Sequence, residues 1–265
     1  MNFFKKLFFD EKKYQEYLER VKLNVYTLSL VPEKYRTEEI CKIAIQKHGW
    51  ALHHVPKEYL TEELVKIAVT QNGCTLEYLS GKYITEKLVK IAVTQDGYAL
   101  EYVPKKYKTE EIVKIAVTKT GLALYYVPKK YKTEELCKLA VTQDGHALQY
   151  VPEKYLTEEL CKIAVQQDGD GYALEYVPEK YQTKEICKLA VQQDGHALEC
   201  VLIKYRTEDL CKLAVQKNGW TLKFIPVEYI SEEIIFMAQQ TELLYDHIPT
   251  ELTTRIFKIY ETMGK

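Results

Sequence analysis

An all-α fold, an α-solenoid of about nine 24-residue helix-turn-helix repeats with N- and C-terminal capping helices, is predicted by three observations in this 265-residue sequence. The segment YVPKKYKTEE occurs at Tyr102–Glu111 and again at Tyr126–Glu135, 24 residues on. A Val-Pro pair or its equivalent recurs at Pro32, Pro56, Ser80, Pro104, Pro128, Pro152, Pro178, Leu202, Pro226 and Pro249. The spacing is 24 except for a last interval of 23 and one of 26, where an extra Asp170-Gly171 marks a loop. Thirdly, each interval carries signals for two helices that cannot bury their apolar faces alone, so neighbours must stack into one core.

The long helix starts at Thr37, Thr61, Thr85, Thr109, Thr133, Thr157, Thr183, Thr207 and Ser231. A hydroxyl there can accept a hydrogen bond from an unpaired amide of the first turn. Acidic residues follow, as at Glu110-Glu111, where they meet the positive end of the helix dipole. Ile112, Ile115 and Ala116 then make an apolar helical face, with Val113 and Val117 beside it. Glycine follows at Gly49, Gly73, Gly97, Gly121, Gly145, Gly195 and Gly219, the placing expected of a left-handed stop. A short helix of about two turns comes next, closed by proline, which keeps the preceding residue out of the helical region. A Pro-x-x-Tyr turn leads to the next threonine.

These signals divide the chain into an N-terminal cap and half repeat (1–30), the repeats (31–230), and a degenerate last repeat with a C-terminal cap (231–265). In the half repeat, Leu28 takes the invariant leucine position. The charged segment Asp10–Lys22 suits the polar outer face a cap requires.

Lys plus Arg total 37 against 38 Asp plus Glu, a net charge of −1, which disfavours a dedicated nucleic-acid binder. No apolar run reaches the roughly 20 residues that span a bilayer. The opening MNFFKKLFF is broken by Lys5 and Lys6, unlike a secretory leader, so the expected location is cytoplasmic. Phosphate loops, dinucleotide fingerprints, nucleophile elbows and HExxH helices are absent from the sequence. Catalysis needs different groups in one place, whereas this chain spreads similar groups evenly, so no enzyme activity and no cofactor are expected.

Columns that repeat in every unit serve the repeat. Cys41, Cys137, Cys161, Cys187 and Cys211 share a position with valine and read as small buried apolar residues. The lysines from Lys42 to Lys212 follow a glutamate four residues earlier in seven of eight repeats, the favourable order within one helix. The tyrosine after proline, from Tyr35 to Tyr229, is expected to pack between layers with its hydroxyl on water or a backbone group. No metal site is expected: His48, His53 and His54 straddle Gly49, and His146 and His196 lie two repeats apart.

Columns that vary point to a partner. Directly after the glycine stand Trp50, Cys74, Tyr98, Leu122, His146, Tyr172, His196 and Trp220. Three residues on stand His53, Glu77, Glu101, Tyr125, Gln149, Glu175, Glu199 and Lys223, on the same face of the short helix. Aromatic anchors among polar side chains suit recognition of a protein or peptide along an extended surface. Single-stranded nucleic acid, its bases stacked on the aromatic rings, is the alternative.

The G-x-A-L-x-Y core, followed about ten residues later by an acidic helix start and [IL]-A-V, is similar to a family of short helical repeats catalogued only as a domain of unknown function and found in bacteria and large DNA viruses. The resemblance covers Val31 to about Ile234 and departs in having Val-Pro where the family has Ala-Ser, Leu79-Ser80 coming nearest. It implies a paired-helix solenoid without a catalytic residue, and a host protein as the partner to be sequestered or inhibited.

Overall fold

Residues 10–23 and 25–241 are described in the computed structural model of the chain. Among them every regular element is a helix. The first full repeat consists of an α-helix at Glu38–Lys47, a six-residue 3-10 helix at Gly49–His54 and a single 3-10 turn at Lys57–Tyr59. This triplet returns down to the α-helix Glu232–Gln240, except that residues 81–83, after Ser80, form a plain turn. The fold is an all-α helical-repeat solenoid. The expected C-terminal cap beyond residue 241, with Pro249, lies outside the described residues.

Every long helix begins as its sequence predicts. The Ile40 N–H donates to Thr37 Oγ1, and the same bond forms at each threonine of the column and at Ser231. The helix ends differently from the expected left-handed glycine. Among the described residues Gly171 alone has a positive φ, at 77°. Instead the residue before the glycine is extended, as at Asp96 (φ −145°, ψ 119°), and its carboxylate accepts from the Tyr98 N–H at 2.9 Å. An Asx side chain thus ends one helix and caps the next. Glycine is required for space: a Cβ on Gly73 would stand 2.2 Å from the Ala92 carbonyl oxygen, and one on Gly145 2.2 Å from that of Ala164.

The chain divides into two units, Met1–Tyr131 and Lys132–Lys265. In the first, the helices Glu38–Lys47, Glu62–Gln71, Glu86–Gln95 and Glu110–Lys119 pack side by side in chain order, and their 3-10 helices form a parallel second row. The helix Glu11–Leu23 covers the start of this row, burying Tyr14, Leu18 and Val21 and leaving its charged residues in solvent. In the second unit, Glu134–Gln143, Glu158–Gln167, Lys184–Gln193, Glu208–Lys217 and Glu232–Gln240 stack likewise. Within each unit a 3-10 helix is wedged between its own long helix and the next one, and the 3-10 helix Gly121–Tyr126 packs on its own long helix. The leucine column fills this wedge: Leu100, Leu124, Leu174 and Leu198 are wholly buried. Each such side chain contributes roughly 1.5–3 kcal/mol. Ile115 is only half-buried, so the core face is narrower than the sequence pattern.

The five column cysteines are fully buried, and burial raises their thiols, to about 12 at Cys41 and about 11 at Cys137, Cys161, Cys187 and Cys211. They act as packing residues and hold their protons. A thiol-reactive disulfide reagent at neutral pH is expected to label at most the half-buried Cys74 and Cys200 of the native chain, with all seven reacting after denaturation. Rapid native labelling of more than two would contradict the buried column.

The lysine column pairs across repeats, which corrects the expectation of pairing within one helix. Lys42 reaches Glu63, Lys90 reaches Glu111, Lys138 reaches Glu159 and Lys162 reaches Glu185, each on the following long helix. Lys212 bridges both ways, to Glu208 at 3.1 Å and Glu233 at 2.8 Å. Side-by-side packing brings the next helix's second acidic residue within reach, so the stripe is neutralised between layers.

The tyrosine column bonds as expected where its hydroxyls are placed against backbone: Tyr83 donates to the Leu60 carbonyl at 2.7 Å and Tyr181 to that of Leu156 at 2.8 Å. Two further devices were not read from sequence. The preceding lysine lies over the ring, as Lys130 does 4.4 Å from the Tyr131 centroid. The residue after the tyrosine, where polar, ties to a carbonyl 18 residues on: Arg36 to His54, Lys108 to Tyr126, Lys132 to Tyr150, Gln182 to Cys200 and Arg206 to Phe224.

Candidate functional site

The face expected to meet a partner is carried by the six-residue 3-10 helices. At three residues per turn, positions i and i+3 eclipse. The two variable columns therefore stand one above the other on each helix, and their neighbours along a unit come from adjacent helices in the row. All sixteen residues of the two variable columns lie at least partly in solvent, but the two columns differ in what else they do.

The first column is half structural. Trp50, Leu122, His146, His196 and Trp220 are half-buried, while Tyr98 and Tyr172 are 39% and 40% exposed. Cys74, His146 and His196 turn toward the residue that ends the long helix of the following repeat. Cys74 Sγ lies 3.4 Å from Asp96 Oδ2, and His196 Nδ1 lies 3.0 Å from Asn218 Nδ2, each pair 22 residues apart. Trp50 packs edge-on to Tyr78 at 5.8 Å, so the looser tyrosine column also belongs to this layer.

The second column is open. His53, Glu101, Tyr125 and, in the other unit, Gln149, Glu175, Glu199 and Lys223 are all exposed, Tyr125 by 60%. Within the first unit, His53 lies 5.1 Å from the Tyr78 ring and Tyr125 stands edge-on to Tyr126 at 4.9 Å. Burial and the hydrogen bond to Glu101 push the Tyr126 hydroxyl up to about 12. The resulting strip is aromatic and acidic in the first unit. In the second it reads amide, acid, acid, base.

The histidines near Gly49 do not converge on an ion. His48 Nδ1 accepts from the Trp50 N–H, whereas the His53 and His54 rings lie against each other, tilted by 44° with centroids 3.5 Å apart. The position that sequence reasoning missed is His146, which besides Asp144 of its own repeat (3.5 Å from Nδ1) has for neighbours carboxylates from the loop with the additional two residues. Its Nδ1 lies 3.4 Å from Asp168 Oδ1 and its Nε2 3.8 Å from Asp170 Oδ1. Comparing His146 with His196 alone hides this, because the acids come from the next repeat.

No helix among the described residues is long and apolar enough to cross a membrane. Neither the curated proteins nor the solved structures include a match to the chain. A family described as "Domain of unknown function (DUF4116)" matches at residues 37–85, 85–132, 133–182, 157–206 and 183–235. Each match spans two 24-residue repeats, and the match at 157–206 is out of step with its neighbours by one repeat. The structural unit is thus the single repeat, of which the family unit holds a pair. With matches tiling residues 37–235, the chain belongs to this domain family of unknown function.

Proposed function

We propose that the chain is a non-enzymatic protein-binding scaffold or inhibitor that recognises a protein or peptide along the exposed column of its 3-10 helices. One observation carries this reading. The packing positions scarcely change from repeat to repeat, while the exposed residues His53, Glu77, Glu101 and Tyr125, and likewise Gln149, Glu175, Glu199 and Lys223, change at four of the six steps within the two units. An exposed row that changes charge and shape over a constant core offers a partner a varied surface along each unit. The ion pairing of the lysine column leaves less free positive charge for a phosphate backbone, so protein is favoured over single-stranded nucleic acid.

The test is affinity purification from the source cells with the wild-type chain and with two variants, His53→Ala/Glu101→Ala/Tyr125→Ala and Gln149→Ala/Glu175→Ala/Glu199→Ala. These side chains are exposed, so the variants should keep the native helical content. A protein enriched by wild type and lost at least tenfold from one variant is expected. Equal recovery with both folded variants refutes the reading. A strong, salt-sensitive shift of random single-stranded oligonucleotides would replace it with the nucleic-acid reading.

A further inference from the structure

The additional Asp-Gly interrupts the repeat at one place only, and there it changes the chemistry around a histidine. In five uninterrupted repeats one Asx residue both ends the long helix and caps the 3-10 helix; His48 and Thr120 stand there in the other two. At the insertion these tasks are divided. The Asp168 N–H donates to Ala164, as a helix-ending residue does, while Asp170 Oδ1 accepts from the Tyr172 N–H at 3.2 Å, as a capping residue does. Gly171 takes the tight packing position against Ala190 and Ala197, whereas a Cβ on Gly169 would meet nothing within 4 Å. The loop therefore holds two carboxylates where the other repeats have one, at Asp96, Asp144 and Asp194, or none, and both face His146 of the preceding repeat.

Asp168 is the unusual member. It is 2% exposed, and its Oδ2 accepts from the Ala173 N–H. Its Oδ1 is buried without a hydrogen bond and lies 3.4 Å from His146 Nδ1. A buried carboxylate oxygen left in this state is costly unless something else satisfies it. One donor atom from each of His146, Asp168 and Asp170 falls within 4.8 Å of the others. Two ligands held about 2.0–2.1 Å from zinc at a tetrahedral angle stand about 3.4 Å apart, the spacing between His146 Nδ1 and Asp168 Oδ1. Asp170 Oδ1 lies 3.8 Å from the ring's other nitrogen and, being exposed, has room to swing to the Nδ1 side. An imidazole with two carboxylates suits zinc better than magnesium or calcium, which prefer oxygen alone. Exposed Asp170 leaves one side open for water. At His196 the corresponding neighbour is Asn218, whose amide bonds to the ring and supplies no charge.

We propose that His146, Asp168 and Asp170 bind one Zn²⁺ ion, with water as a fourth ligand, and that the ion clamps the inserted loop to the preceding repeat. The test titrates zinc chloride into the full chain by calorimetry, with Co²⁺ absorption as a report on geometry. Two variants borrow their structure from other repeats. His146→Leu places the residue that the same column carries at Leu122, and deletion of residues 169–170 restores the uninterrupted Asp-Gly-Tyr order of residues 96–98. The expected result is one ion per wild-type chain, tetrahedral cobalt bands without thiolate charge transfer, and at least tenfold weaker binding by both variants. Absence of zinc binding by wild type overturns the proposal. So does binding that persists in folded His146→Leu, which would place the ion elsewhere.

Discussion

Gly145→Ala is expected to destabilise the second unit by about 3 kcal/mol, at the upper end of what forced overpacking costs. The new Cβ would stand 2.2 Å from the Ala164 carbonyl oxygen and 3.1 Å from the Asp168 Cβ. Backbone lies on one side and a buried loop on the other, so the adjacent repeats must separate. Gly73→Ala meets the Ala92 carbonyl in the same way and should cost the first unit a similar amount. Gly169→Ala is the control, since its Cβ points into open space and its effect should stay within about 0.5 kcal/mol. Chemical denaturation followed by circular dichroism measures all three. If Gly145→Ala and Gly169→Ala lose the same stability, the close approach is not what requires glycine.

Gln182→Leu is the second large effect, about 2–3 kcal/mol, because it removes two partners at once. Leu202 occupies a position that is otherwise mostly proline and so carries an N–H that proline lacks. Gln182, 6% exposed, accepts that N–H at 3.2 Å through its Oε1 and donates to the Cys200 carbonyl through its Nε2 at the same distance. Adding Leu202→Pro should restore more than half of the loss, since it removes the orphaned donor. The double variant has the residue types that stand at Leu156 and Pro178. A double-mutant cycle measures the coupling. Additive losses would mean that glutamine and leucine act independently.

The period, the threonine caps and the buried leucine and cysteine columns were legible in the sequence because each depends on a side chain's own chemistry. Thr109 caps its helix in the order the letters suggest. What escaped depends on the neighbouring repeat. Gly145 reads as a left-handed stop until the Ala164 carbonyl is placed beside it. Lys90 looks paired with Glu86 until Glu111 arrives from the next helix. The two variable columns were legible as positions but not as two kinds. Trp50 packs on Tyr78 and His196 bonds to Asn218 of the following repeat, whereas Tyr125, beside Tyr126, keeps 60% of its surface in solvent. The cluster at His146 was hidden for the same reason, its acids being 22 and 24 residues away.

The bond between Gln182 and Leu202 bears on how such a chain can be rearranged. Segments one period long look interchangeable, and recombination between near-identical stretches would shuffle, drop or multiply them without shifting register. Yet a block carrying leucine in place of proline arrives with a donor that its new predecessor must answer. Exchange is therefore tolerated in matched couples, and an engineer splicing this protein should cut where the residue after the tyrosine is aliphatic on one side and proline waits on the other.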